Sequence, residues 1–274
     1  EYKSEFYDKN VKTTERLLDF AILGRKKDFN YISTSSVCSG NITGSEEYLF
    51  NEFEQNPGQI VSQNYVKSKL ESEKLVFSFR EKGLTANIFR VGNIMFNSAN
   101  GKFQKNISEN GFYNLISSIF SFRAIPKIDY HFDFSFVDHL SRAIILLFDR
   151  IGLENEMFHL TNSHNKITIA KFVNLINQAG KKISVLNLNN FFDLLLQKLD
   201  GHESECQIDK FLFHSGLMNA LSNMSEDSRD HTDSYFVSNR TRMYLKKLNF
   251  IWPELNVGHV KKMIEYCKKV GFIQ

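Results

Sequence analysis

The run Asn64-Tyr65-Val66-Lys67-Ser68-Lys69 places a tyrosine and a lysine four residues apart. On a helix that spacing sets both side chains on one face. An ammonium beside a phenol favours the phenolate and lowers the tyrosine pKa. A tyrosine tuned in this way can exchange a proton with a substrate oxygen near neutral pH. The pair alone is not specific, because a half-buried tyrosine beside a solvated lysine gives the same pattern. Its neighbours narrow the reading. Tyr65 lies about thirty residues after a strand-like stretch that runs into Tyr31-Ile32-Ser33-Thr34-Ser35-Ser36-Val37, and about twenty before one ending Ile88-Phe89-Arg90-Val91-Gly92-Asn93-Ile94. A hydroxyl at the C-terminal end of a strand sits where open α/β sheets hold their ligands.

The elements that must position these residues alternate. Val11, Leu17, Leu18, Ala21 and Ile22 recur at helical spacing between Glu5 and Gly24. A strand follows at Phe29 to Thr34, then a polar stretch from Ser39 to Gln63 that reads as a long active-site loop. Tyr65 to Gly83 is predicted helical, and Ala86 to Val91 a strand closed by Gly92-Asn93. Helix, strand, helix, strand is the order of a parallel α/β sheet. Further along, the pattern predicts helices over Asn110 to Phe122, from Val137 through Leu147, and over Thr168 to Ala179, with strands at Met157 to Leu160 and Ile183 to Leu188. Residues 190–270 read as mainly helical.

Composition sets outer bounds. Of the 274 residues, 42% are hydrophobic and 24% charged, enough apolar material for a sizeable core. The net charge of +3 is spread without a basic block, which argues against nucleic acid as a partner. No window approaches the ~18 uncharged apolar residues of a membrane span. Cys38, Cys206 and Cys267 are odd in number and far apart, and the histidines are scattered, so no metal spacing is present. Reduced thiols of a cytoplasmic protein are the expectation. The abundance of Phe, Lys and Asn points to an AT-rich genome rather than a special fold. The chain opens Glu1-Tyr2-Lys3, without Met or signal peptide, and reads as part of something longer.

Taken in order, these motifs resemble the extended short-chain dehydrogenase/reductase superfamily, whose catalytic triad is a Ser or Thr, a Tyr and a Lys. Asn10-Val11-Lys12-Thr13-Thr14-Glu15-Arg16-Leu17-Leu18 is similar to that family's Asn-Val-x-Gly-Thr-x-x-Leu-Leu helix, with Thr13 in place of the glycine. The stretches 29–37, 89–94 and Phe134-Ser135-Phe136-Val137-Asp138-His139-Leu140-Ser141-Arg142-Ala143-Ile144, with Phe158-His159-Leu160-Thr161-Asn162, resemble one branch. That branch is the terminal thioester reductase domain of nonribosomal peptide synthetases. Phe136 departs from its usual Pro-Val-Asp. The likeness covers about Phe6 to Gly180.

The resemblance implies an α/β fold: a Rossmann-like parallel sheet, here lacking its first βαβ unit and glycine-rich loop, with a mainly helical C-terminal substrate subdomain. Residues 1–100 would be the remaining part of the NAD(P)-binding domain and 101–274 the substrate-binding or cap region, with about 134–162 returning to the core. It assigns Thr34, Tyr65 and Lys69 to catalysis, and Tyr65, Lys69, Val91, Gly92 and Asn93 to the nicotinamide cofactor. NADPH is favoured, with NADH an alternative. Asn10 would tie its helix to the strand, Asp138 would cap the following helix, and Phe112, Phe120 and Phe122 either line a substrate channel or belong to the core. The implied activity is reductive release, as an aldehyde, of an acyl or peptidyl thioester carried on phosphopantetheine. The partner would be a peptidyl carrier protein domain upstream in the parent chain, facing Lys246-Lys247 or Lys261-Lys262, which as readily form a solvated face. The fragment alone is expected to be inactive. Two other readings share the features: another extended reductase such as a nucleotide-sugar epimerase, and a non-catalytic carrier-docking fragment.

Overall fold

The computed structural model describes residues 5–273 except 26, 46, 105, 107–109, 130, 149 and 201–232. Cys206 therefore lies outside the described residues. A π-helical stretch, Tyr7–Lys12, runs into α1 (Thr13–Ile22). There follow β1 (Phe29–Thr34), a 3-10 turn at Ser35–Cys38, β2 (Glu47–Phe50), α2 (Asn64–Glu81), β3 (Ala86–Val91) and β4 (Ile94–Met95). Next come α3 (Gly111–Phe122), β5 (Ala124–Pro126), β6 (His131–Phe132), β7 (Ser135–Phe136), α4 (Val137–Leu147), β8 (Met157–Leu160), β9 (Ile167–Thr168) and α5 (Ile169–Gln178). The described chain ends with β10 (Ser184–Leu186), α6 (Leu188–Asp200), β11 (Asp233–Phe236), α7 (Asn239–Lys247) and α8 (Val257–Lys269). The fold is α/β with parallel pairing, as the alternation of elements predicts. Among the described residues no helix is long and apolar enough to cross a membrane.

The chain divides into two compact units. The first comprises Glu1–Asn93, Leu140–Asn162 and Arg229–Trp252. Its centre is a parallel sheet in the order β1-β3-β8. Every residue of β3 is buried, as expected of a central strand covered on both faces. Thr34 pairs with Val91, and Val91 with Leu160, so the C-terminal ends of the three strands align. Leu18 and Ala21 of α1 and Val76 and Phe79 of α2 pack with Tyr31, Ile88 and Met157. The other end of α2 inserts Val66 and Leu70 among Val37, Cys38 and Phe50. Helix α2 is thus anchored at both ends, which fixes the residues between.

The stretch expected to be a loop between Ser39 and Gln63 contains a strand. β2 pairs in parallel with β11, Glu47 opposite Asp233 and Phe50 opposite Phe236. β2 is only four residues long, and its partner lies near the other end of the chain, so local pattern gave little sign of it.

The second unit comprises Ile94–His139, Ser163–Ser228 and Pro253–Gln274. Its core is aromatic. Phe134 lies 5.5 Å from Phe96, 5.6 Å from Phe112 and 5.2 Å from Phe136, each at a steep interplanar angle. Edge-on packing of this kind suits the ring quadrupoles. Helix α3 begins where Asn110 Oδ1 accepts from the Phe112 and Tyr113 amides, an N-cap. Thr168 caps α5 in the same way through the Lys171 amide.

Candidate active site

Three sequence-predicted residues come together in the first unit, at the C-terminal edge of its parallel sheet. Thr34 is the last residue of β1, and its Oγ1 accepts from the Ser36 amide at 3.2 Å, so the strand ends in a turn that fixes the hydroxyl. Tyr65 stands in the first turn of α2, 39% exposed. The Thr34 side chain lies near enough to influence its titration, while the Thr34 hydroxyl itself donates to Ser36 Oγ at 3.3 Å. Lys69, one turn further, donates from Nζ to the Ile32 carbonyl at 3.0 Å and lies 5.0 Å from the centre of the Tyr31 ring. Val91 ends β3 beside Thr34, and the Gly92 amide donates to the Leu160 carbonyl at 3.0 Å, carrying the pairing one residue past the strand.

The electrostatics correct one expectation. Burial pushes the Tyr65 phenol above its ordinary pKa, and the neighbouring Thr34 hydroxyl only partly opposes this. The depression expected from Lys69 does not appear, because the ammonium turns to the Ile32 carbonyl. Lys69 itself is lowered by burial, against the pull of Glu73. In this state Tyr65 is a proton donor that keeps its proton, and Lys69 is a partly desolvated cation beside it.

A buried charged cluster lies on the same helix face. Glu73 follows Lys69 by four residues and Tyr65 by eight. Its carboxylate accepts from the Ser33 hydroxyl and from Arg90, whose Nε lies 3.1 and 3.2 Å from the two oxygens and whose Nη2 lies 2.7 Å from Oε2. The two side chains are 2% and 1% exposed. Arg90 also donates to the Glu54 and Gln55 carbonyls at 3.0 and 3.2 Å and to Cys38 Sγ at 3.3 Å. Its Nη1 lies 3.3 Å from His159 Nε2. His159 Nδ1 lies 2.6 Å from the Val237 carbonyl, so Nδ1 carries the hydrogen and Nε2 accepts. Burial, helped by Arg90, lowers the His159 pKa to about 3, so the ring is neutral. One guanidinium therefore ties β3 to α2, to the segment leading into α2, to the turn after Thr34 and to β8. Sequence reasoning passed over this cluster. Its signal was a charged residue inside the otherwise apolar run Ile88-Phe89-Arg90-Val91, which burial obliges to find a partner.

Other expected residues fall elsewhere. Asn10 ties its helix to α2 rather than to a strand, its Nδ2 donating to Ser68 Oγ at 2.9 Å. Asp138 accepts from the Ser98 amide and hydroxyl at 3.0 and 2.6 Å, so it holds the loop at Ser98 rather than capping its helix. Burial raises the Asp138 pKa, but these hydrogen bonds outweigh it and the net shift is downward. Phe122 is buried in the second unit's core, against which Phe112 and Phe120 pack.

The donors at the sheet edge fit the ribose and nicotinamide of a nicotinamide cofactor. An ammonium has three N–H donors, and the Ile32 carbonyl takes one of those on Lys69. Tyr65 stands one helical turn before Lys69, and Gly92 follows the strand without a side chain to obstruct a ring.

Comparison with known proteins agrees. Residues 1–144 match the NAD-binding family described as Male sterility protein. A linear gramicidin synthase polypeptide of Brevibacillus parabrevis is 23% identical over 265 residues, 96% of this chain and 5% of that protein. Among solved structures, a thiolation-reductase di-domain from an archaeal non-ribosomal peptide synthetase superposes with a TM-score of 0.78 at 26% identity, covering 97% of this chain and 54% of the other. The aureusimine biosynthetic cluster reductase domain shares the fold, with a TM-score of 0.75 at 22% identity over 97% of this chain and 66% of the other. The chain thus spans about half the length of the di-domain and a small part of the synthetase.

Proposed function

The chain belongs to the NAD-binding Male sterility protein family, and its fold is that of synthetase reductase domains; from that premise we propose that it reduces a carrier-bound thioester. The substrate is an acyl or peptidyl chain held on phosphopantetheine by a carrier domain of the parent protein. Tyr65, Lys69, Val91, Gly92 and Asn93 would hold a nicotinamide cofactor, NADPH in this reading, which would supply the hydride. One observation carries the reading: Thr34, Tyr65 and Lys69 converge at the C-terminal edge of the β1-β3-β8 sheet.

The residues act as follows. The Thr34 hydroxyl, released from Ser36 Oγ, and the Tyr65 hydroxyl would donate to the substrate carbonyl oxygen, where negative charge develops as hydride adds to carbon. The raised pKa of Tyr65 keeps its proton in place until that oxygen becomes basic enough to take it. Lys69 then meets the resulting phenolate with its ammonium and holds the ribose. The hemithioacetal so formed loses its thiol, and the C–S bond breaks to give a free pantetheine thiol and an aldehyde. The balance is one thioester, one NADPH and one proton in, and one aldehyde, one thiol and one NADP⁺ out.

The test gives the parent protein an acyl-carrier thioester and NADPH, and follows cofactor absorbance together with aldehyde formation. Tyr65→Phe removes the proton donor, and both signals are expected to fall by roughly 10²- to 10⁴-fold. Normal turnover by that variant would refute the assignment.

A further inference from the structure

Proton transfer accounts for Thr34, Tyr65 and Lys69 but leaves unused the carboxylate buried directly beneath them. Tyr65, Lys69 and Glu73 succeed one another at intervals of four along α2 and so share a face. Glu73 grips Ser33, and Ser33 stands between the two residues of β1 that the site needs, Ile32 with the carbonyl that Lys69 holds and Thr34 with the hydroxyl. Arg90 fixes the carboxylate from the opposite side with a bidentate contact. We propose that Glu73 is a positioning residue: it holds the Lys69 ammonium electrostatically and, through Ser33, fixes the strand end that presents Ile32 and Thr34.

The surroundings of Lys69 favour this role. Burial disfavours its charge, and Glu73 acts in the opposite direction. The groups facing Lys69 from β1 are the Tyr31 ring and the Ile32 carbonyl, and from α2 the carboxylate that acts on it is Glu73, with Tyr65 one helical turn before it. The N-terminal helix packs on α2 through Asn10, while its charged Asp8 and Lys12 pair with each other and Lys9 pairs with Glu5. Glu73 is thus the carboxylate placed to compensate the desolvated ammonium. Arg90 holds that carboxylate in place through its own contacts to both oxygens.

The proposal rests on the reductase reading only for what Lys69 does, so its test is independent of turnover. The Lys69 Cε chemical shift, assigned with Lys69→Arg, is followed against pH in this chain by NMR. Glu73→Gln retains the hydrogen-bond acceptor and loses the charge, and its Lys69 midpoint is expected at lower pH than in wild type. Glu73→Asp keeps the charge, and its midpoint is expected near the wild-type value. If Glu73→Gln fails to fold, the double variant Glu73→Gln/Arg90→Met, which leaves no unpaired buried charge, is read in its place with the same expected direction. A glutamine or double variant that titrates as wild type, or an aspartate variant that moves as far as glutamine, overturns the proposal. In the parent enzyme the basic limb of the kcat profile is expected to move with the midpoint while KM for the thioester stays constant. An active Tyr65→Phe would sink the reductase reading and leave the Lys69 titration to decide the role of Glu73.

Discussion

Arg90→Met tests the buried pair by leaving Glu73 without its guanidinium partner. In wild type the guanidinium lies 2.7 Å from Glu73 Oε2, and both side chains are almost fully buried. At an effective dielectric of about 20, two unit charges at that distance attract by about 6 kcal/mol. The net cost of breaking such a pair by removing one partner is about 3–5 kcal/mol, because the remaining ion keeps its desolvation penalty. The Glu54 and Gln55 carbonyls also lose their donor, at about 1 kcal/mol each. For a chain of this size 1 kcal/mol corresponds to about 2–4 °C, so the combined loss of about 5–7 kcal/mol should lower the melting temperature by about 10–28 °C. Urea unfolding followed by circular dichroism measures the loss. The double variant Glu73→Gln/Arg90→Met buries no lone charge and should come back to within about 2 kcal/mol of wild type. A single-variant loss under about 1 kcal/mol, or a double variant worse than the single, would refute the view that the pair carries the site's framework.

Three further outcomes follow from the structure. Phe134→Ala removes a ring 1% exposed and in edge-on contact with three others, and should cost about 3–5 kcal/mol in urea unfolding. Gly101 has a φ of +71°, and a Cβ there would collide with the Lys262 carbonyl, so Gly101→Ala should loosen the turn at Asn97–Lys102 and speed proteolysis within it. His159 is neutral in the folded chain, with a pKa of about 3, against about 6.5 for an unperturbed imidazole. Between those values the unfolded chain binds the proton and the folded chain does not, so stability falls as pH drops from about 6.5 towards 3. The contribution of this one group approaches about 1.4 kcal/mol per pH unit. Subtracting the pH dependence of His159→Gln from that of wild type should isolate the slope, and identical profiles would show the ring is not buried neutral.

What the sequence made legible follows from how far each feature depends on its neighbours. Phe29–Thr34, Ala86–Val91 and Met157–Leu160 are short runs with clear boundaries, and they form the central sheet where the pattern put them. The catalytic candidates were readable because a helical interval of four and a strand end are local facts. β2 was not readable, since β11 is its partner and no local pattern encodes a pairing across most of the chain. The direction of the Tyr65 shift was misread for a related reason. Spacing puts Lys69 on the right face, but the rotamer that sends its ammonium to Ile32 depends on how β1 lies against α2. Arg90 marks the limit between the two cases. A guanidinium in a central strand whose every residue is buried must be paired, so the existence of a buried carboxylate was deducible from Ile88-Phe89-Arg90-Val91 alone. Its identity was not, because Glu71, Glu73 and Glu81 all occupy α2, and only the packing of Val66, Leu70, Val76 and Phe79 turns the face bearing Glu73 towards β3. The hydrophobic contacts that fix the rotation of α2 therefore also choose which carboxylate lies one turn beyond Lys69.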